Sequence, residues 1–221
     1  MRYQAVIFDC DGVLVDSEPI TNRVLTAMLN ELGLGFTVAQ TMRTFVGKSL
    51  RDELQIIESL VGRPLPADWY HGFTVRRDEA LAREVRPVAG VPAAIDAIVA
   101  AGQRFAVASG ADRAKMRLTL GTTGLLARFE VPGGPSRLFG ADMVERSKPA
   151  PDVYLLAARG LAADPARCVV IEDTPTGTAA GVAAGATVLG YCGHTDPREL
   201  LAAGAAAAFD DMHRLPALLG H

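Results

Sequence analysis

"AVIFDCDGVLVDSE", residues 5–18, decides how the rest of the chain is read. Its apolar start, rich in β-branched residues, has the character of a short buried strand. That strand runs into Asp9, and Asp11 follows two positions later. Alternation along an extended segment puts Asp9 and Asp11 on one side and Cys10 on the other. Two acids so close raise each other's pKa, and neither is at ease at the end of a buried strand. Asp-x-Asp pairs also form turns, so the pair alone leaves a structural and a catalytic reading open.

The pattern repeats further along. "RFAVAS" (104–109), "CVVIED" (168–173) and "TVLGYC" (187–192) are again brief, apolar and β-branched, and another strand is expected near "LFGADMV". Helical stretches separate them. "VPAAIDAIVAAG" places Val91, Ile95, Ile98 and Val99 on one face and ends at Gly102, while "TGTAAGVAAG" is a small-residue helix ending at Gly185. This alternation predicts an α/β fold, a doubly wound parallel sheet covered on both faces. The stretch after Asp16 breaks the rhythm. "SEPITNRVLTAMLNEL" carries Ile20, Val24, Met28 and Leu32 on a stripe, with Ser17 as N-cap and Pro19 in the first turn. "SLRDELQIIESLVG" repeats the spacing with Leu50, Leu54, Ile57, Leu60 and Val61, and "ADWYHGFTVRRDEALAREV" reads as a further helix. The expected organisation is a core of 1–15 and 86–221, with an all-helical cap of 16–85 inserted after the first strand. "VPGGPSRLFG" (131–140) reads as a surface loop.

Bulk properties agree with a single core of good size. The chain has 221 residues, 49% of them hydrophobic, and a formal net charge of −3 with signs well mixed. Those numbers argue against nucleic acid or an anionic membrane as partner. Cys10, Cys168 and Cys192 have no metal-ligand or C-x-x-C spacing and read as reduced core residues. No signal-like segment stands at the start. The alanine-rich stretch from Leu200 to Phe209 is too short to span a bilayer, so a soluble cytoplasmic protein is expected. His71, His194, His213 and His221 are scattered and read as structural or exposed.

In parallel sheets of this kind, ligands bind beyond the carboxyl ends of the strands. The residues there are Asp9 and Asp11, then Ser109 and Gly110, then Lys148 followed by Pro149, then Glu172 and Asp173. Crowded carboxylates need a counter-charge, and a hard divalent cation is the simplest. Magnesium, which takes a few oxygen ligands together with water and phosphate, suits Asp9 and Asp173. Lys148, the Ser109 hydroxyl and the N–H groups that follow it would complete an anion site the size of a phosphate. Taken singly, Ser109 could be an ordinary cap and Lys148 a solvated lysine; Glu172 and Asp173 could simply cap the helix near Thr176.

The ordered set resembles the haloacid dehalogenase-like hydrolase superfamily, in the helical-cap branch that contains β-phosphoglucomutase and sugar-phosphate or phosphogluconate phosphatases. The motifs are Asp9 to Glu18, Ser109, Lys148 in "KPAPDVY", and Glu172-Asp173 in "IEDTPTGTAAGVAAG". The resemblance implies that Asp9 attacks phosphorus and becomes an aspartyl-phosphate. Asp11 would protonate the leaving oxygen and then activate water. Mg2+ would be held by Asp9, Asp11 through its main-chain carbonyl, and Asp173, with Glu172 beside it. Ser109, Gly110 and Lys148 would bind the phosphoryl oxygens. The cap would close during the reaction and reopen for release. An aspartate at position 11, rather than an aromatic or small residue, points to phosphate esters within that family.

"VGKSL" (46–50) is not a nucleotide P-loop, because the required earlier glycine is Met42 and no strand precedes it. By the resemblance, Lys48 and Ser49 would read the substrate from the cap. A β-phosphoglucomutase-like enzyme carries an arginine next, where this chain has Leu50. "ASGADRAKM", with Asp112, Lys115 and Met116, is similar to phosphogluconate-type phosphatases. The leading expectation is a Mg2+-dependent phosphatase of a small sugar or sugar-acid phosphate, a monomer or weak homodimer. The alternatives are a phosphosugar mutase and a phospho-accepting signalling domain.

Overall fold

The computed structural model describes residues 2–45, 50–131 and 133–221. It divides into two compact units, Met1–Asp16 with Arg86–His221, and Ser17–Val85. In the first unit six strands form one sheet: β1 (Ala5–Phe8), β2 (Arg104–Ala108), β3 (Leu138–Phe139), β4 (Cys168–Glu172), β5 (Thr187–Tyr191) and β6 (Ala207–Phe209). All pairings are parallel and the order is β3-β2-β1-β4-β5-β6. The strand that carries the aspartate pair therefore lies between β2 and β4. Phe8 is level with Val107 and Ile171, so the next residues along all three strands emerge at one edge.

Both faces of this sheet are buried, as the apolar runs predict. Ala5, Ile7, Ala106, Ala108, Cys168, Val170 and Val188 point one way. There they meet Val153, Tyr154, Ala157, Ala180, Ala184 and Leu200 from the helices of that side. The alternate residues Val6, Phe8, Phe105, Val107, Val169, Ile171 and Leu189 are buried as well. At roughly 1.5–3 kcal/mol for each large side chain removed from water, these strands are held by packing rather than by propensity.

The second unit is all helical among the described residues: α1 (Glu18–Glu31), α2 (Val38–Phe45), α3 (Leu50–Val61) and α4 (Trp69–Glu84). Its core gathers Leu25, Met28, Leu29, Phe45, Ile57 and Phe73. The first unit adds α5 (Val91–Ala100), α6 (Arg113–Thr122), α7 (Leu126–Phe129), α8 (Asp152–Gly160), α9 (Pro175–Ala183), α10 (Pro197–Ala202) and α11 (Leu215–Leu219).

Several sequence expectations are corrected in detail. On α5 the buried stripe is Val91, Ala94, Ile95 and Ile98, and Val99 is exposed, because an eight-residue step has drifted off the face. Leu60 on α3 is likewise exposed. On α1, Leu25 and Leu29 are buried beside Ile20 and Met28, whereas Val24 and Leu32 are half-buried. Ser17 occupies the N-cap position but its hydroxyl makes no capping bond, while Pro19 does stand in the first turn. The alanine-rich stretch after Leu200, read only as too short for a membrane span, contains strand β6. No helix among the described residues is long and apolar enough to cross a membrane.

Candidate active site

β1 ends at Phe8, but the ladder continues one residue: the Asp9 N–H donates to the Ile171 carbonyl at 2.9 Å. Asp9 is thereby fixed at the sheet edge, 7% exposed. The chain then turns sharply. Leu14 N–H and Val15 N–H both donate to the Cys10 carbonyl, and Gly12 N–H donates to the Val15 carbonyl at 2.8 Å. Gly12 takes a φ of 76°, where side chains are strained. A Cβ there would also lie 2.0 Å from Asp173 Oδ2. The turn and the close approach of the Asp173 carboxylate both require glycine.

Lys148 joins the two strand ends. Its ammonium donates to Asp9 Oδ1 at 2.6 Å and to Glu172 Oε1 at 2.7 Å, and lies 4.6 Å from the centre of the Tyr154 ring. Burial is the largest influence on Asp9 and pushes its carboxyl up to about 7. The Glu172 and Asp11 charges add to that, against the opposing pull of Lys148. Burial works against the Lys148 cation, but Asp9 and Glu172 together carry it well above the usual lysine value. Glu172 is also pushed up by burial, and there the Lys148 charge and hydrogen bond prevail, so it stays below the ordinary glutamate value.

Glu172, expected beside the metal, spends both oxygens on the protein. Oε1 accepts from Lys148 and from the Tyr154 hydroxyl at 2.9 Å. Oε2 accepts from the Asp173 N–H, the Thr174 N–H and the Thr174 hydroxyl, at 2.9, 2.9 and 3.0 Å. Thr174 in turn caps α9 by accepting from the Gly177 N–H at 3.0 Å. The glutamate is therefore the hub that orders the start of this loop. Its neighbour Asp173, 2% exposed, is the acid of the pair placed against Gly12.

Ser109 follows β2 and is buried; its N–H donates to the Phe139 carbonyl at 3.0 Å and its hydroxyl accepts from the Ala111 N–H at 3.2 Å. Gly110 is exposed beside it. Ser109 does not cap α6. Asp112 does, accepting from the Lys115 N–H at 2.8 Å. One pairing escaped sequence reading: the Lys115 ammonium lies 2.8 Å from Asp11 Oδ2. The sequence singles out Lys115 within "ASGADRAKM", but nothing there points to Asp11 as its partner. Lys48 and Ser49 lie outside the described residues. The Cys10 and Cys168 side chains are buried and Cys192 is half-buried; all three are free thiols. His194 meets Asp16, His213 meets Asp211 and His221 meets Gln103.

Among the described residues, no three His, Cys, Asp or Glu side chains gather into a metal-binding cluster. The donors present still fit Mg2+, which needs only one or two carboxylates besides water and phosphate oxygens. They are hard oxygens, from Asp9 and Asp173, and Asp173 Oδ2 fills the space over Gly12 that any side chain would take. After burial, the Glu172 and Asp11 charges add to the protonation pressure on Asp9, and that added part is what a cation would relieve.

A family model described as haloacid dehalogenase-like hydrolase matches residues 3–185. The chain is 29% identical over 202 residues to the 6-phosphogluconate phosphatase of Escherichia coli, covering 86% of this chain and 83% of that protein. It is 32% identical over 196 residues to hexitol phosphatase A of the same organism, again covering 86% and 83%. A crystal structure of a HAD family hydrolase from Deinococcus radiodurans, with bound phosphate and sodium, superposes with a TM-score of 0.80 at 34% identity. That match covers 99% of this chain and 96% of the other.

Proposed function

This chain belongs to the haloacid dehalogenase-like hydrolases, and from that premise we propose that it is a Mg2+-dependent phosphatase of a small sugar or sugar-acid phosphate. The observation that carries the proposal is Asp9, buried at the end of β1, with Lys148 2.6 Å from its Oδ1 and Asp11 paired to a different cation. A carboxylate so fixed beside an ammonium is placed to attack a phosphorus whose oxygens the same ammonium attracts. Similarity to phosphatases of 6-phosphogluconate and hexitol phosphates supports the substrate class.

In this reading the phosphoryl oxygens meet Lys148, Ser109 and the Gly110 N–H. An Asp9 oxygen forms a bond to phosphorus while the bond to the leaving oxygen breaks, and Asp11 gives that oxygen its proton. Asp11 then takes a proton from water as the water oxygen attacks phosphorus, and the bond to Asp9 breaks to release phosphate. Mg2+, held by Asp9, the Asp11 carbonyl and Asp173, would neutralise charge on the transferring group. Glu172 acts from behind, keeping Lys148 and the Asp173 loop in place.

The test offers purified protein 6-phosphogluconate, hexitol phosphates and other hexose phosphates with Mg2+ while released phosphate is followed. Multiple turnovers are expected, and Asp9→Asn should abolish them. Isomerised sugar phosphate with little free phosphate would favour a mutase. A stable phosphoprotein without turnover would sink both in favour of signalling.

A further inference from the structure

Asp11 is gripped from a helix that the proposed mechanism does not use. The Lys115 ammonium lies 2.8 Å from Asp11 Oδ2, and the two side chains are only 14% and 20% exposed. Lys115 stands in the first turn of α6, which is fixed by Asp112 accepting from the Lys115 N–H. One turn on, the buried Thr119 hydroxyl donates to the Lys115 carbonyl at 3.1 Å. The same hydroxyl lies 3.9 Å from Cys10 Sγ, on the residue between the two aspartates. α6 is thus tied to the Cys10–Asp11 segment at two successive turns. Lys148 cannot share the task, because its ammonium is already divided between Asp9 and Glu172.

We infer that Lys115 is a positioning residue for phosphoryl transfer, holding the Asp11 carboxyl through one oxygen in the rotamer that meets the leaving oxygen of the substrate. The inference rests on the phosphatase reading above and adds to it a residue from the "ASGADRAKM" segment. Proton transfer needs the donor within about 2.6–3.2 Å of its target, and a misplacement of about 1 Å can cost about a hundredfold. Asp11 stands just before the Gly12 turn, and its side chain must be restrained for that transfer. The lysine supplies that restraint from outside.

The experiment compares kcat/KM for two esters: para-nitrophenyl phosphate, whose phenolate departs without a proton, and the fastest sugar phosphate of the panel, whose alkoxide requires one. This ratio covers steps only through transfer to Asp9, so later hydrolysis does not enter. Lys115→Met should lower kcat/KM for the sugar phosphate by about tenfold or more, and for the aryl ester by less than about threefold. Lys115→Arg should recover part of the loss, and inorganic phosphate should inhibit all three proteins alike. Asp112→Ala, which loosens the turn while keeping the lysine, should show the same selective loss in smaller measure. An equal loss on both esters overturns the inference, since structural damage would spread over both, and so does no loss on either. A parent protein inactive on both esters would instead remove the phosphatase reading itself.

Discussion

At Asp9, burial and neighbouring charges act together against ionisation, and one ammonium resists them. The carboxyl is raised from 3.8 to about 7. A group held above its unfolded value binds its proton more tightly in the folded chain. Its contribution to stability is therefore full below about pH 4 and is lost as pH rises through about 7. The cost of ionising it is at most about 4 kcal/mol, reduced by whatever rearrangement the site allows. Asp9→Asn should accordingly melt higher than the parent at pH 8 in chelator, while the two should converge near pH 4. A gap of the same size at both values, measured by thermal unfolding, would contradict this account. Inactivity combined with higher stability is the expected mark of a residue kept for chemistry rather than for folding. Glu172 is the contrast, since five donors from the protein surround its carboxylate and hold it ionised.

At the level of elements, the site depends on where strands stop and helices start. α9 begins under Glu172 so closely that a Cβ on Gly177 would lie 1.6 Å from Glu172 Oε1. Gly177→Ala should displace the glutamate, release Lys148 from one of its two anchors and cost about 1–3 kcal/mol. Urea unfolding would measure the loss, and an unchanged midpoint would count against the hub described for Glu172. The elements also differ in how plainly they could be read. β1, β2, β4 and β5 announced themselves through apolar β-branched runs, and Asp9, Ser109 and Glu172 followed from where those runs end. β6 is "AAF", and alanine carries no β preference, so its neighbours in the sheet rather than its composition make it a strand. The Lys115–Asp11 pair was hidden for another reason. It joins residues 104 positions apart through a helix whose first turn is set by Asp112, which periodicity does not disclose.

For the whole molecule, a cation that binds only the folded site must raise its stability. Mg2+ at a hundredfold excess over its Kd should add about 2.7 kcal/mol. In a chain of this size that is a rise in Tm of about 5–10 °C. The rise should shrink in Asp173→Asn, and an equal rise in that variant would place the cation elsewhere. The architecture also governs how the protein is made. β1 is synthesised well before its two partners, which begin at Arg104 and Cys168. At about 5–20 residues per second, translation from β1 to β4 takes about 8–33 s. For about the first 5–20 s of that interval "AVIF" on the nascent chain has no partner strand, its second partner comes only at the end, and the long sequence separations predict slow closure of the sheet thereafter. The strand that leads into Asp9 thus depends on escaping premature association while the ribosome is still at work.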